Sequence, residues 1–184
     1  MELDNLVIAG NPHLAEHTKK FNSEVKVLST GLDINAYTAV TKPANNGKVC
    51  FVWIGSKSTL RYLAQIKHAL EEIGSRFDNI ILIIICDDFF DLHSMKVEKH
   101  QWSKETEATT LVNSYIGLTP LFDDRFTKGK CGYKILQYQA AELAVVASPV
   151  GVNAPYGCDG VNGFHAINTS QWIDEMAELI KMLN

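Results

Sequence analysis

The sequence predicts an α/β protein with a Rossmann-like, three-layer architecture, in which a parallel sheet of about six strands carries helices on both faces. After residue 47, short apolar runs alternate with helical segments, the pattern of repeated strand–helix–strand units. Val49 to Ile54 and Ile80 to Cys86 are continuously apolar, as strands buried on both faces are. The chain has 184 residues, 46% hydrophobic and 21% charged, which is enough for one domain with a full core.

The amino-terminal part begins with one predicted strand–helix–strand unit. Leu6 to Ala9 and Val25 to Leu28 are short apolar runs, and Gly10-Asn11-Pro12 turns the first into a helix near His13 to Phe21. Proline suits this turn because the first helical residue needs no amide donor. A polar segment rich in Pro, Asn and Gly, residues 41–47, then separates this unit from the regular series.

The regular series contains six predicted strands and four main helices. Ser103 and Ser170 are suitable amino-terminal caps for two helices, because a serine oxygen accepts a hydrogen bond from a free amide of the first turn. The predicted strands lie at 49–54, 80–86, 97–102, 115–118, 144–147 and 164–167. The predicted helices lie at 60–74, 103–112, 133–142 and 170–183.

Charge and cysteine usage argue against several functional classes. The net charge of −4 disfavours a nucleic-acid-binding protein that relies on bulk electrostatics. The four cysteines are widely spaced without a CxxC pair, which favours reduced thiols in the cytoplasm over a zinc site or a disulfide framework. No apolar run is long enough to span a membrane, and we expect no signal peptide before the first strand.

The stretch from Lys130 to Gly151 has the features of an anion site. It contains a basic glycine turn, a predicted helix, a buried strand and a second loop. In open α/β sheets, ligands bind at the carboxyl ends of strands and the amino ends of helices. Lys134, Gln137 and Ala141 share one helix face, which together with free amides at the turn suits a phosphate and a hydroxylated group. The alternative is an ordinary amphipathic helix with a solvated polar face.

A second candidate for phosphate binding follows the strand that ends at Ile54. Gly55, Ser56 and Lys57 form a polar turn between this strand and a helix, a geometry that binds phosphate in many proteins. The turn is not a P-loop, because the earlier glycine and the contiguous Gly-Lys-Ser are missing. A looser phosphate role stays open beside the alternative that Ser58 simply caps the helix.

Paired aspartates follow the central strand. Asp87-Asp88 at a strand end is compatible with a phosphorelay receiver or a magnesium site, and a solvated loop is the simpler interpretation. A receiver also needs a third acidic strand end, which the sequence lacks. Neither this pair nor Asp123-Asp124 has a histidine or third carboxylate at a ligand-like spacing, so we predict no metal site.

Five motifs in order resemble the carboxyl-terminal half of family 4 (group 1) glycosyltransferases. They are VWIGS (52–56), IGLTPL (116–121), GKCGYKILQYQA (129–140), VVASPVGVN (145–153) and DGVNGF (159–164). The resemblance implies an enzyme of the GT-B fold, with residues 1–184 as a single nucleotide-sugar-binding domain and a separate amino-terminal acceptor domain. It further implies retaining, metal-free transfer without a cofactor from a UDP-, GDP- or ADP-sugar, in the cytoplasm or at a membrane periphery.

Residue pattern and resemblance together assign the candidate site. Lys130 and Lys134 are the expected catalytic residues, because they stabilise the departing diphosphate. The expected donor-binding residues are Gly55, Ser56, Lys57, Cys131, Gly132, Gln137, Gly151, Val152 and Asn153. The family often has two glutamates where this chain has Gly129 and Gln137, so a ribose contact here lacks a charge and the sugar contact loses its carboxylate.

Two other interpretations remain open at this level. A sugar-nucleotide epimerase of the GT-B fold is an enzymatic alternative to a transferase. A stand-alone nucleotide-sugar-binding module, or a partner subunit without catalysis, is the non-enzymatic alternative.

Overall fold

The computed structural model of the chain describes residues 5–43 and 47–183. Its strands are β1 (Val7–Ala9), β2 (Val25–Val27), β3 (Val49–Ile54), β4 (Ile80–Ile85), β5 (Lys96–His100), β6 (Ile116–Thr119), β7 (Ala144–Ala147) and β8 (Gly163–His165). Its α-helices are α1 (Pro12–Thr18), α2 (Asn35–Thr38), α3 (Leu60–Ala64), α4 (Lys67–Arg76), α5 (Lys104–Val112), α6 (Arg125–Lys128), α7 (Tyr133–Ala140), α8 (Asn153–Tyr156) and α9 (Thr169–Leu183).

Six strands form one parallel sheet in the order β5-β4-β3-β6-β7-β8. Residues of β3 and β4 point alternately into two separate cores, which explains why both strands are apolar throughout. One core contains Trp53 and Leu82 with side chains from α3, α4 and α9. The other contains Val52 and Ile83 with side chains from α5 and α7. The predicted Rossmann-like, three-layer fold is confirmed.

The strand order reverses between β3 and β6, which creates a crevice at the carboxyl ends of these strands. Their ladder is short, with only the pairs Phe51–Ile116 and Val52–Gly117. Beyond it, the buried hydroxyl of Tyr138 accepts from the Ile54 amide at 3.3 Å and donates to the Leu118 carbonyl at 3.1 Å. This side chain of α7 therefore joins β3 to β6 where the crevice opens.

Several helix and strand boundaries differ from the prediction, and Ser170 does not cap the last helix, because α9 already begins at Thr169 and the Asn168 Oδ1 accepts from the Gln171 amide at 3.0 Å. The helix predicted at 60–74 starts as a 3₁₀ turn, Lys57–Thr59, and is interrupted at Gln65 and Ile66. The strand predicted at 97–102 ends at His100, so Trp102 lies in the following loop. The helix predicted to reach Glu142 ends at Ala140.

The end of α7 gives a stability prediction. Glu142 adopts φ 58°, a left-handed conformation that costs a residue with a Cβ about 1 kcal/mol or more and costs glycine little. We therefore expect Glu142→Gly to raise the free energy of unfolding by about 0.5–1 kcal/mol in urea titrations. Glu142→Ala removes the same carboxylate but keeps the Cβ. An equal gain in the alanine variant would show that backbone strain is not the cause.

The amino-terminal unit β1–α1–β2 forms its own two-stranded parallel sheet. Asn11, which is 1% exposed, caps α1 by accepting from the Leu14 amide at 2.8 Å. Its side-chain amide donates to the carbonyls of Lys128 (3.3 Å) and Lys130 (3.0 Å). The unit is thereby tied to the loop that precedes α7. Among the described residues, no helix is long and apolar enough to cross a membrane.

Candidate functional site

Two cavities open at the crevice between β3 and β6. The first, of about 310 Å³, is lined by the segment 129–134 together with Tyr62, Thr119, Leu121 and Asn153, and is called here the lysine cavity. The second, of about 800 Å³, contains Glu107 and Gln137 and is called the glutamate cavity. Tyr133 and Lys134 line both, so the two cavities adjoin at the first turn of α7.

The amino end of α7 presents free backbone donors to the lysine cavity. Gly132 caps the helix at φ 68°, and a Cβ there would lie 2.7 Å from the Tyr156 ring, so both conformation and packing require glycine. The amides of Tyr133 and Lys134 have no acceptor among the described residues. Such a helix start attracts anions, because its amides and the helix dipole both present positive charge.

Lys130 and Lys134 place two lysine side chains at this point. The Lys130 Nζ lies 5.3 Å from the centre of the Tyr62 ring and 5.0 Å from that of Phe126. The Lys134 Nζ lies 4.1 Å from the centre of the Trp53 indole. No carboxylate lies within ion-pairing distance of either lysine in the described part of the chain.

The environment of Lys134 makes its charge depend on what binds nearby. Burial, with a smaller contribution from the neighbouring charge of Lys130, lowers the pKa of Lys134 to about 7. Near neutral pH the Lys134 side chain therefore exchanges between its charged and uncharged forms. An anion bound in the lysine cavity would favour the charged form and raise the pKa of Lys134 again.

The Gly55–Lys57 turn contributes less to the cavities than predicted. Gly55 lines the glutamate cavity, and a Cβ there would lie 2.3 Å from the Trp53 ring, so glycine makes room for the indole beneath Lys134. Ser56 and Lys57 line neither cavity. Ser56 caps the 3₁₀ turn with Thr59, and Lys57 forms an exposed ion pair with Asp88 at 3.3 Å.

Asp87 and Asp88 both interact with Lys57 of the Gly55–Lys57 turn. Asp87 accepts a hydrogen bond from the Lys57 amide, which is the main cause of its lowered pKa, and Asp88 pairs with the Lys57 ammonium. Among the described residues, no group of three or more His, Cys, Asp or Glu side chains is arranged to hold a metal ion. Metal-free chemistry stays a prediction.

The loop after β7 places only one of its three predicted residues at a cavity. Asn153 is 2% exposed, lines the lysine cavity, and donates to the Thr119 Oγ1 at 3.2 Å. Gly151 and Val152 line neither cavity. Gly151, at φ 57°, packs against the backbone of Lys128, where a Cβ would lie 2.9 Å from the carbonyl oxygen.

Gln137 lies in the glutamate cavity but is only 3% exposed, so its helix face is not the solvated face of the alternative interpretation. Its side-chain nitrogen donates to the Glu107 Oε1 at 2.7 Å. Ala141, expected on the same polar face, is also buried. The face is covered because α5 and α2 pack beside it.

Sequence reasoning missed the residues of this site that α3, β6, α5 and the loop between β5 and α5 supply. They are Glu107, Trp102, Thr119 and Tyr62. Trp102 and Thr119 carried a usable signal, because each follows or ends a strand at the sheet edge where the site lies. Glu107 carried none, since its helix is polar on several sides.

No protein-family model matches the sequence, and no curated protein matches it significantly. Solved structures do match its fold. A glycosyltransferase from Rickettsia africae aligns with 98% of this chain and 54% of its own, at a TM-score of 0.75 and 13% identity. WaaG, a glycosyltransferase involved in lipopolysaccharide biosynthesis, aligns with 95% of this chain and 53% of its own, at a TM-score of 0.73 and 12% identity.

HepE from Anabaena, solved with UDP and glucose, aligns with 98% of this chain and 53% of its own, at a TM-score of 0.70 and 16% identity. The chain thus spans about half the length of these three structures. These matches confirm the resemblance at the level of fold. The chain has the fold of about one half of a group 1 glycosyltransferase of the GT-B type.

Proposed function

We propose that this chain is the donor-binding domain of a retaining glycosyltransferase, which moves a sugar from a nucleotide-sugar to an acceptor. The observation that carries the proposal is the pair Lys130 and Lys134, two lysines at a helix start without a carboxylate partner among the described residues. Two neighbouring unpaired cations are stabilised by an anion of more than one charge. A diphosphate is the anion that all nucleotide-sugars share.

In this proposal each of the two cavities binds one part of the donor. The diphosphate lies at Lys130 and Lys134, where the free amides of α7 also point. The nucleoside extends into the larger cavity, because that cavity adjoins the lysine cavity at Tyr133 and Lys134. The volumes, about 310 and 800 Å³, are of the size that binds small ligands.

The chemistry follows from this placement. When the bond between sugar and diphosphate breaks, negative charge accumulates on the departing phosphate oxygens. Lys130, Lys134 and the amides of the first turn are positioned to stabilise this charge, which lowers the barrier without a proton transfer to the leaving group. Because these cations supply the positive charge, we expect transfer to need no metal ion.

The β1–β2 sheet supports the presence of a second, acceptor-binding domain. Parallel sheets are normally covered on both faces, yet Ile8 is 60% exposed and Leu28, just after β2, is 67% exposed. Strands and helices of the acceptor domain would cover these side chains. Since Asn11 connects the unit to Lys130, the acceptor domain would sit directly beside the donor phosphates. We place the full-length enzyme in the cytoplasm or at a membrane periphery, in glycan biosynthesis.

A thermal-shift panel tests the proposed ligand class. We expect UDP-, GDP- or ADP-sugars to raise the melting temperature in a concentration-dependent way, because a ligand that binds only the folded state stabilises it. Inorganic phosphate and an uncharged nucleoside are the controls for the two parts of the donor. A panel in which no nucleotide-sugar stabilises the protein at millimolar concentration would contradict donor binding.

The thermal-shift panel measures donor binding only, and a second measurement is needed for catalysis. A binding module gives the same stabilisation as a transferase, so donor turnover must be followed with the acceptor domain present. We expect this chain alone to transfer no sugar, because the acceptor site lies in the other domain. Donor binding without turnover in the two-domain protein would favour the module.

A further inference from the structure

Glu107 is a carboxylate held in a fixed position in the glutamate cavity. Its Oε1 accepts from the Gln137 amide at 2.7 Å and from the Tyr37 hydroxyl at 3.3 Å, and its Oε2 accepts from the Trp102 indole. Gln137 and Tyr37 are 3% and 4% exposed, so both donors are fixed by the core. Burial raises the pKa of Tyr37 to about 12, so its hydroxyl remains a donor at alkaline pH as well as at neutral pH.

The carboxylate has acceptor capacity left over. Each carboxylate oxygen accepts about two hydrogen bonds, and Oε2 has one partner among the described residues. All three of its partners are neutral, and no cation lies within ion-pairing distance of Glu107 in the described part of the chain. A half-buried carboxylate in this state is best completed by a ligand that donates hydrogen bonds.

We propose that Glu107 binds the ribose of the donor nucleotide by accepting hydrogen bonds from its vicinal hydroxyls, and that Gln137 orients Glu107 for this contact. The proposal rests on the proposed function, because it needs a nucleoside in the glutamate cavity. A diol fits this place since the cavity continues to Lys134, where the diphosphate binds.

The geometry favours Glu107 as the ribose contact over Asp33 and over Gln137. Asp33 also lines the glutamate cavity, but it is exposed and accepts from the backbone amide and the side chain of Asn35. Gln137 already uses its amide nitrogen on Glu107. Its role is to hold the carboxylate, and the carboxylate reaches the ribose.

The test compares a ribonucleoside diphosphate with its 2′-deoxy analogue, by isothermal titration of wild type and variants. We use UDP and 2′-deoxy-UDP, or the pair with whichever base binds in the donor panel. We expect wild type to favour the ribo form by about 10-fold or more, the effect of a charge-assisted hydrogen bond. Glu107→Gln keeps the shape of the side chain and is expected to reduce this preference to about 2-fold or less.

Three further variants test the role of Gln137, the specificity of the effect for Glu107, and the effect of folding. Gln137→Met, which keeps the length but removes the amide, is expected to lower the ribo preference in part, while diphosphate binding persists. Glu105→Gln changes a carboxylate of the same helix that is bonded to Ser103 outside the cavity, and should leave the preference unchanged. If Glu107→Gln unfolds the protein, Glu107→Asp replaces it and should still reduce the preference.

The outcomes distinguish this inference from the proposed function. Tight UDP binding with an unchanged ribo preference in Glu107→Gln overturns the ribose contact and leaves donor binding intact. A wild type that binds both analogues equally also overturns it. A wild type that binds no nucleoside diphosphate overturns the proposed function, and the ribose contact with it.

Discussion

Between the pKa of free Lys134, about 7, and its raised pKa in the complex, the affinity for a nucleotide-sugar is expected to fall by up to about tenfold per pH unit. The cause is Lys134, whose pKa is lowered to about 7 by burial and by the neighbouring charge of Lys130. A bound diphosphate favours the charged form and raises this pKa again. Above pH 7 the complex must therefore take up a proton that the free protein does not hold, and binding weakens as protons become scarce. Below pH 7 the lysine is already charged, and the affinity levels off.

The measurement needs a nucleotide-sugar as the ligand and Lys134→Met as the comparison variant. In a nucleotide-sugar both phosphates are esterified, so the diphosphate does not titrate in this range, whereas the terminal phosphate of a free nucleoside diphosphate does. Isothermal titration between about pH 6.5 and pH 9 measures the slope. Lys134→Met removes the titrating group, and its affinity should be weaker and almost independent of pH. A slope that survives in Lys134→Met would assign the proton to another group.

The stability of the unliganded protein is an independent check on the pKa of Lys134, and its pH dependence should be opposite to that of the affinity. In the unfolded chain the Lys134 pKa returns to about 10.5, so the unfolded state binds more protons than the folded state between pH 7 and 10.5. This lysine therefore makes the free energy of unfolding rise with pH in that window. Affinity and stability should move in opposite directions, and Lys134→Met should flatten both curves.

The positions of strands and of the binding edge could be predicted from local sequence. Val49–Ile54 and Ile80–Ile85 are apolar at every position because both faces of these strands are buried, and that requirement is visible in the residues themselves. The basic glycine turn before α7 could also be recognised in the sequence, because a lysine and a glycine directly precede a helical pattern. The structure shows why glycine is needed, since Gly132 adopts φ 68°.

The chemistry of individual side chains depended on contacts that local sequence does not encode. Lys57 is as basic in sequence as Lys130, but Asp88 from the end of β4 pairs with it. Gln137 lies on a polar helix face, yet α5 covers it and brings Glu107 within 2.7 Å. Both partners lie 30 or more positions away in the chain, so only the sheet order brings them together.

The central claim is that a diphosphate binds at the amino end of α7, and Lys130→Ala tests it most directly. The measurement is a calorimetric titration of a nucleoside diphosphate and of its nucleoside into wild type and variant. Lys128→Ala is the matched control, because Lys128 lies two residues away, pairs with Asp123 at 2.9 Å and lines neither cavity. Circular dichroism is to be recorded for each variant as the check that it is folded.

We expect Lys130→Ala to weaken the diphosphate by about 1–3 kcal/mol, roughly a factor of 5 to 150, the value of a charge-assisted hydrogen bond at a helix start. The nucleoside carries no phosphate, so its affinity should not change, and Lys128→Ala should affect neither ligand. A folded Lys130→Ala protein that binds the diphosphate as tightly as wild type would contradict the account.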